Sequence, residues 1–149
     1  MKKYLRSNVV MAEPMNLGAY NAYRGWKLPE NETGKEEGYH LVYADGYESW
    51  CPKTAFEKVS REINCMTFGQ AIEALKMGKR CARKGWNGKE QYIELATHVS
   101  YMDPDNKIHN VNHSQMGNKA IAFVGTSGIQ LGWLASQSDM LSEDWQLVG

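Results

Sequence analysis

The chain has 149 residues, 42% of them hydrophobic and 11% aromatic, enough to fill one ordinary core or two modest ones. Seventeen Lys and Arg balance seventeen Asp and Glu, so no global field exists to hold long nucleic acid or an anionic membrane surface, and any anion recognition has to be local. Cys51, Cys65 and Cys81 form no close pair, which argues against a disulfide framework or a zinc ribbon and makes a reducing cytoplasm the simplest setting.

Met1 to Arg6 carries positive charge, but Asn8, Glu13 and Pro14 break the apolar run a signal peptide would need. No segment approaches the roughly 18 apolar residues of a membrane span. Lys3 to Val10 is expected to be a strand, and Asn16 to cap a helix from Leu17 to Tyr23 with Gly25 just past its end. In "YHLVYADGYESW", apolar positions alternate on both sides of Asp45-Gly46. This predicts a hairpin of Tyr39–Tyr43 with Tyr47–Trp50 across a two-residue turn. Pro52 suits the first turn of a helix running to about Glu62, with Ala55, Phe56 and Val59 on one face.

A second unit opens at "CMTFGQAIEALKMGKR". Thr67 followed by Gln70 fits a capping box, Phe68, Ala71, Ile72 and Leu75 form one apolar stripe, and Gly78 ends the helix. Strands are expected at Lys79–Arg83, Gln91–Leu95, Ala120–Val124, Ile129–Leu134 and Trp145–Val148, with Thr126-Ser127-Gly128 as a tight connection. Asp103-Pro104-Asp105-Asn106 and the surrounding asparagines indicate a long loop. The expected fold class is α+β, with small antiparallel sheets each carrying a packed helix. The expected division is into two small domains, 1–63 and 64–149, each with its own helix and strand signals.

Two constellations could carry chemistry. The run "KMGKRCARKGWNGK" offers Lys79, Arg80, Arg83, Lys84 and Lys89 as phosphate donors beside Trp86, whose indole can stack on a base for about 1–3 kcal/mol. The spacing alone favours a solvated strand edge followed by a core tryptophan. In "GWLASQSDMLSEDW", Ser136, Gln137, Ser138 and Asp139 form a polar bend between Trp133 and Trp145 that could read ribose hydroxyls or a base edge. Alternatively, Ser138 and Asp139 only cap the following turn while the tryptophans fill the core.

His109 and His113 are four apart, a metal-ligand spacing only if that stretch were helical, and its loop composition makes no metal the expectation. Nucleophile-elbow, phosphate-loop, zincin and dinucleotide signatures are missing, and Cys65 and Cys81 sit where apolar packing explains them, which tilts the chain toward binding rather than catalysis.

The segment from Met66 to Val148 resembles the second family of phage-encoded Thoeris anti-defence proteins. The likeness rests on Phe68-Gly69 with Ala71 and Leu75, and on Ala82-Arg83 with Gly85-Trp86-Asn87-Gly88. It continues in Trp133-Leu134-Ala135-Ser136-Gln137-Ser138-Asp139 and Glu143-Asp144-Trp145. The resemblance implies a non-enzymatic sponge without cofactor or metal, acting in the host bacterial cytoplasm. Such a sponge assembles as a homotetramer of small α+β subunits and captures glycocyclic ADP-ribose made by a bacterial TIR immune enzyme. Some members also hold cyclic dinucleotides at separate sites. Since the family's pocket lies between subunits, the resemblance transfers a ligand-binding role to Arg83, Trp86, Asn87, Trp133, Ser136, Gln137 and Asp139. Two rival functions are an enzyme degrading the same class of nucleotide, with Asp139, Asp144 or a histidine as acid or base, and a phage structural domain without ligand. Residues 1–63 and the polar insert from about His98 to Asn118 lie outside the pattern of the compact members.

Overall fold

The computed structural model describes residues 1–4, 7–86, 90–110 and 119–149. It is α+β, built from small antiparallel sheets and short helices, and divides into two compact units, Met1–Ser60 and Arg61–Gly149.

The first unit runs β1 (Val10–Pro14), α1 (Leu17–Arg24), β2 (Gly38–Tyr43), β3 (Glu48–Pro52) and α2 (Lys53–Val59). Its three strands pair antiparallel in chain order, with Val10 opposite Tyr43 and His40 opposite Trp50. The Asn16 side chain accepts the Ala19 amide at 2.8 Å, and Gly25 closes α1 in the left-handed region at φ 69°. Successive side chains of β2 alternate between faces. His40 therefore meets the rings of Tyr20 and Tyr23 from α1, while Tyr39 meets Phe56 from α2. Gly38 is required here: a Cβ would lie 2.4 Å from the Trp50 ring, whose indole N–H donates to the Met15 carbonyl at 2.8 Å.

Three expectations change in this unit. The first strand is Val10–Pro14 rather than a strand ending at Val10, because pairing with β2 selects the register that sets Glu13 opposite His40; of the expected Lys3–Val10, Leu5 and Arg6 lie outside the described residues. Helix α2 stops at Val59, three residues short of Glu62. Of its apolar stripe only Phe56 packs, while Ala55 and Val59 face solvent, so nothing rewards further turns. The hairpin loop is Ala44–Gly46, three residues rather than two: Gly46 N–H donates to the Tyr43 carbonyl, and Gly46 takes φ 83°.

The second unit runs α3 (Phe68–Lys76), β4 (Arg80–Arg83), β5 (Tyr92–Ala96), β6 (Ser100–Met102), β7 (Ile108–Asn110), β8 (Ala120–Gly125), β9 (Gly128–Leu131), α4 (Gln137–Leu141) and β10 (Trp145–Val148). Five strands form one antiparallel sheet in the order β10-β4-β5-β8-β9. The Thr67–Gln70 capping box is present in both directions and starts α3. Ala71, Ala74 and Leu75 of α3 join Met66, Cys81, Ile93 and Trp145 in one core, within which Leu75, Ile93 and Trp145 are fully buried. The segment expected to be a long loop instead contains the hairpin β6–β7. Asp103 shapes its turn by accepting the Asp105 and Lys107 amides and binding His109 at 2.6 Å. Among the described residues no helix is long and apolar enough to cross a membrane.

Candidate functional site

In the second unit the cationic run and the polar bend meet. Strand β4 ends at Arg83, which lies opposite Trp145, the first residue of β10. That register brings a side chain from the middle of the chain against Asp144, 61 positions later.

The bend is built by its own capping box. Ser136 caps α4: its Oγ accepts the Asp139 amide at 3.1 Å, and Asp139 Oδ2 accepts both the Ser136 amide at 2.9 Å and the Ser136 hydroxyl at 2.7 Å. The Asp139 carbonyl accepts the indole N–H of fully buried Trp145 at 2.9 Å, anchoring the helix to the core. Arg83 then clamps the arrangement. Its Nε donates to Asp144 Oδ1 at 2.9 Å, one terminal nitrogen donates to Asp139 Oδ1 at 3.0 Å and Ser138 Oγ at 3.2 Å, and the other donates to Asp144 Oδ2 at 3.4 Å. Four of the five guanidinium N–H groups are thereby engaged within the protein. The side chains of Arg83 and Asp139 are only 16% and 13% exposed.

Charge follows geometry. The hydrogen bonds that Arg83 donates to Asp144 and then to Asp139 raise its pKa despite opposing burial. Asp144 is held below the usual carboxylate range mainly by Arg83. Burial pushes Asp139 upward, but hydrogen bonds from Ser136, Arg83 and the Trp86 side chain together outweigh it and leave it lowered. Both carboxylates are therefore ionised at neutral pH.

Behind this network stands an aromatic cluster. Trp86 makes edge-to-face contacts with Phe123, Trp133 and Trp145 at centroid distances of 5.3, 6.0 and 5.3 Å. Trp86 and Trp133 are half-buried, so each does part of the packing expected of a core tryptophan.

Arg83, Trp86, Ser136 and Asp139 thus share one hydrogen-bonded network, and Trp133 joins it through its ring contacts. Gln137 and Ser138 are exposed on the bend. Asn87, Lys89 and His113 lie outside the described residues. The remaining cations of the run divide: Arg80 pairs with Glu94 at 3.0 Å and lies over the Tyr92 ring, while Lys79 and Lys84 are exposed. Sequence reasoning gives Arg83 neither of two partners the fold supplies, Asp144 and Ser138. For Asp144 the signal is the segregation of charge in this half, with cations early and Asp139, Glu143 and Asp144 late; Ser138, being uncharged, gives no such signal.

Cys81 is fully buried, and burial pushes its thiol up to about 11, so it is no nucleophile at neutral pH. His109 is committed to Asp103 and stacks on Tyr101.

A family model described as the Thoeris anti-defense 2-like domain matches residues 66–148, which contain every residue of this network. A similar protein, "Thoeris anti-defense 2" of Bacillus phage SP01, is 35% identical over 86 residues, covering 56% of this chain and 94% of that protein. The chain belongs to the Thoeris anti-defense 2-like family.

Proposed function

We propose that this chain is a phage anti-defence protein that acts against Thoeris by binding glycocyclic ADP-ribose and withholding it from its effector without cleaving it. Cyclic dinucleotides are the second ligand class in this proposal. The observation that carries it is that the family match falls on the unit where Arg83, Trp86, Ser136 and Asp139 converge. A cyclic nucleotide sugar offers phosphates, hydroxyls and π faces, and the bend presents amide and hydroxyl groups at Gln137 and Ser138 beside half-buried indoles. Because the bend is cross-linked by charge-assisted hydrogen bonds before any ligand arrives, little ordering cost remains at binding.

We assign Arg83, Trp86, Asn87, Trp133, Ser136, Gln137 and Asp139 to this site. Completion of the pocket by a neighbouring subunit in a homotetramer is part of the same proposal. It is supported by an apolar surface on the second unit: strand β9 is exposed along its whole length, with Ile129 at 69%, and Leu134 is 88% exposed.

The test is to incubate the protein with glycocyclic ADP-ribose, remove free ligand, denature by heat and analyse what is released. Intact signal is expected. Linear or hydrolysed products would replace sequestration with catalysis, and no retained nucleotide would remove the ligand assignment. Sedimentation at micromolar concentration should show an assembly, and a single-subunit mass with ligand still tightly held would defeat the shared pocket.

A further inference from the structure

His40 of the first unit is a buried histidine that signal capture by the second unit does not use. Its side chain is 7% exposed and lies between two carboxylates, with Nδ1 at 3.2 Å from Glu13 and Nε2 at 2.6 Å from Glu48. The three residues come from three adjacent strands. Sequestering such a triad has a desolvation cost, and an aliphatic side chain could pack as well between Tyr20 and Tyr23. What the triad achieves is to fix Glu48, which is bonded on one side by His40 and on another by the Tyr23 side chain.

Glu48 faces a shallow cleft of about 570 Å³ lined also by Tyr23, Arg24, Gly46 and Tyr47. The two tyrosines are 57% and 64% exposed, so ring surface is available. Arg24 is steadied with its guanidinium 4.7 Å from the centre of the Trp26 ring. Gly46, at φ 83° with nothing near the position of a Cβ, leaves its wall without a side chain.

We propose that this cleft is a binding site for a neutral saccharide. Sugar hydroxyls each donate and accept, so a vicinal pair can bond a carboxylate such as Glu48 as donors or a guanidinium such as Arg24 as acceptors. The C–H face of the ring can meanwhile rest on a tyrosine. Charge decides the class. The lining holds one carboxylate, Glu48, and one guanidinium, Arg24, so an anion meets Glu48 and a cation meets Arg24, whereas a neutral polyol meets neither penalty. The site lies outside residues 66–148 and is independent of the proposed capture of a nucleotide signal.

Saturation-transfer and amide-shift NMR on the full chain tests this with glucose and N-acetylglucosamine as neutral probes and glucosamine and glucuronate as charged counterparts. Saturable binding of a neutral sugar is expected, with each charged counterpart weaker. Tyr47→Ala should weaken it roughly tenfold by removing a ring platform, and Tyr47→Phe should restore it. Absence of saturable transfer from both neutral sugars, tighter binding of a charged counterpart, or indifference to Tyr47→Ala would each overturn the assignment.

Discussion

Replacing Arg83 with alanine removes the clamp on Asp139 and Asp144 and leaves two ionised carboxylates without their shared cation in a partly buried site. An exposed ion pair contributes about 0–1 kcal/mol, whereas breaking a fully buried one costs about 3–5 kcal/mol. With Asp144 33% exposed and Asp139 13% exposed, the site falls between these limits, and a loss of about 2 kcal/mol follows. For a unit the size of Arg61–Gly149, that corresponds to a midpoint lowered by roughly 10 °C. Arg83→Lys keeps the charge but lacks the fork needed to hold both carboxylates, so it should recover about half of the loss.

Urea and thermal unfolding of Arg83→Ala, Asp144→Asn and the double variant, followed by tryptophan fluorescence, measure the coupling directly. Since Asp139 and Asp144 are both lowered, the coupling is present above their ordinary 3.8 and is lost as pH falls through the depressed values. An Arg83→Ala protein as stable as the wild type, with negligible coupling to Asp144, would show that the clamp is not a structural element. Ligand binding sharpens the distinction. If Arg83 acts by holding the bend, Arg83→Lys loses affinity together with stability; if it met phosphate as a simple charge, the lysine variant would keep most of its affinity while still losing stability.

Three further outcomes are expected. His40 is raised above its ordinary 6.5 first by the hydrogen bond it donates to Glu13, so its contribution is complete below that value and fades as pH rises through the folded value. Glu48, lowered chiefly by His40, contributes above its ordinary 4.5 and is lost as pH falls through the folded value. Unfolding of the first unit between pH 4 and 9 should therefore be most resistant in the interval between, and a wild-type profile parallel to that of His40→Gln would contradict this. Gly38→Ala forces a methyl to within 2.4 Å of the Trp50 ring and 2.5 Å of the Cys51 carbonyl, and should destabilise by about 1–3 kcal/mol or more in urea titration. Thr67→Ala deletes one half of the α3 capping box and should cost about 1 kcal/mol, whereas Thr67→Ser should be close to neutral in the same assay.

The amino-acid order alone determined several elements closed by a hydrogen bond a few residues long, though not the Ser136–Asp139 box, where the cap is Ser136 rather than Ser138, nor the Asp103 turn of the β6–β7 hairpin. Asn16 with Ala19, Thr67 with Gln70 and the turn around Asp45-Gly46 are local contacts, and their spacing is their geometry. Even there, turn length escaped, because Asp45-Gly46 fits two- and three-residue loops alike and strand pairing chose the longer. The family resemblance likewise lies in linear strings, from Phe68-Gly69 to Asp144-Trp145, and needed no coordinates.

What Arg83 touches was not legible, since a cation in a basic run has many possible partners until a sheet register selects one. The pairing of β4 with β10 supplied Asp144, and the α4 cap supplied Asp139. The same holds for Glu13, His40 and Glu48, which stand well apart along the chain and become a triad only when β1 and β3 flank β2. Local hydrogen bonds follow from spacing along the backbone. Long-range charge networks follow from which strands lie side by side, and packing of the two cores decides that.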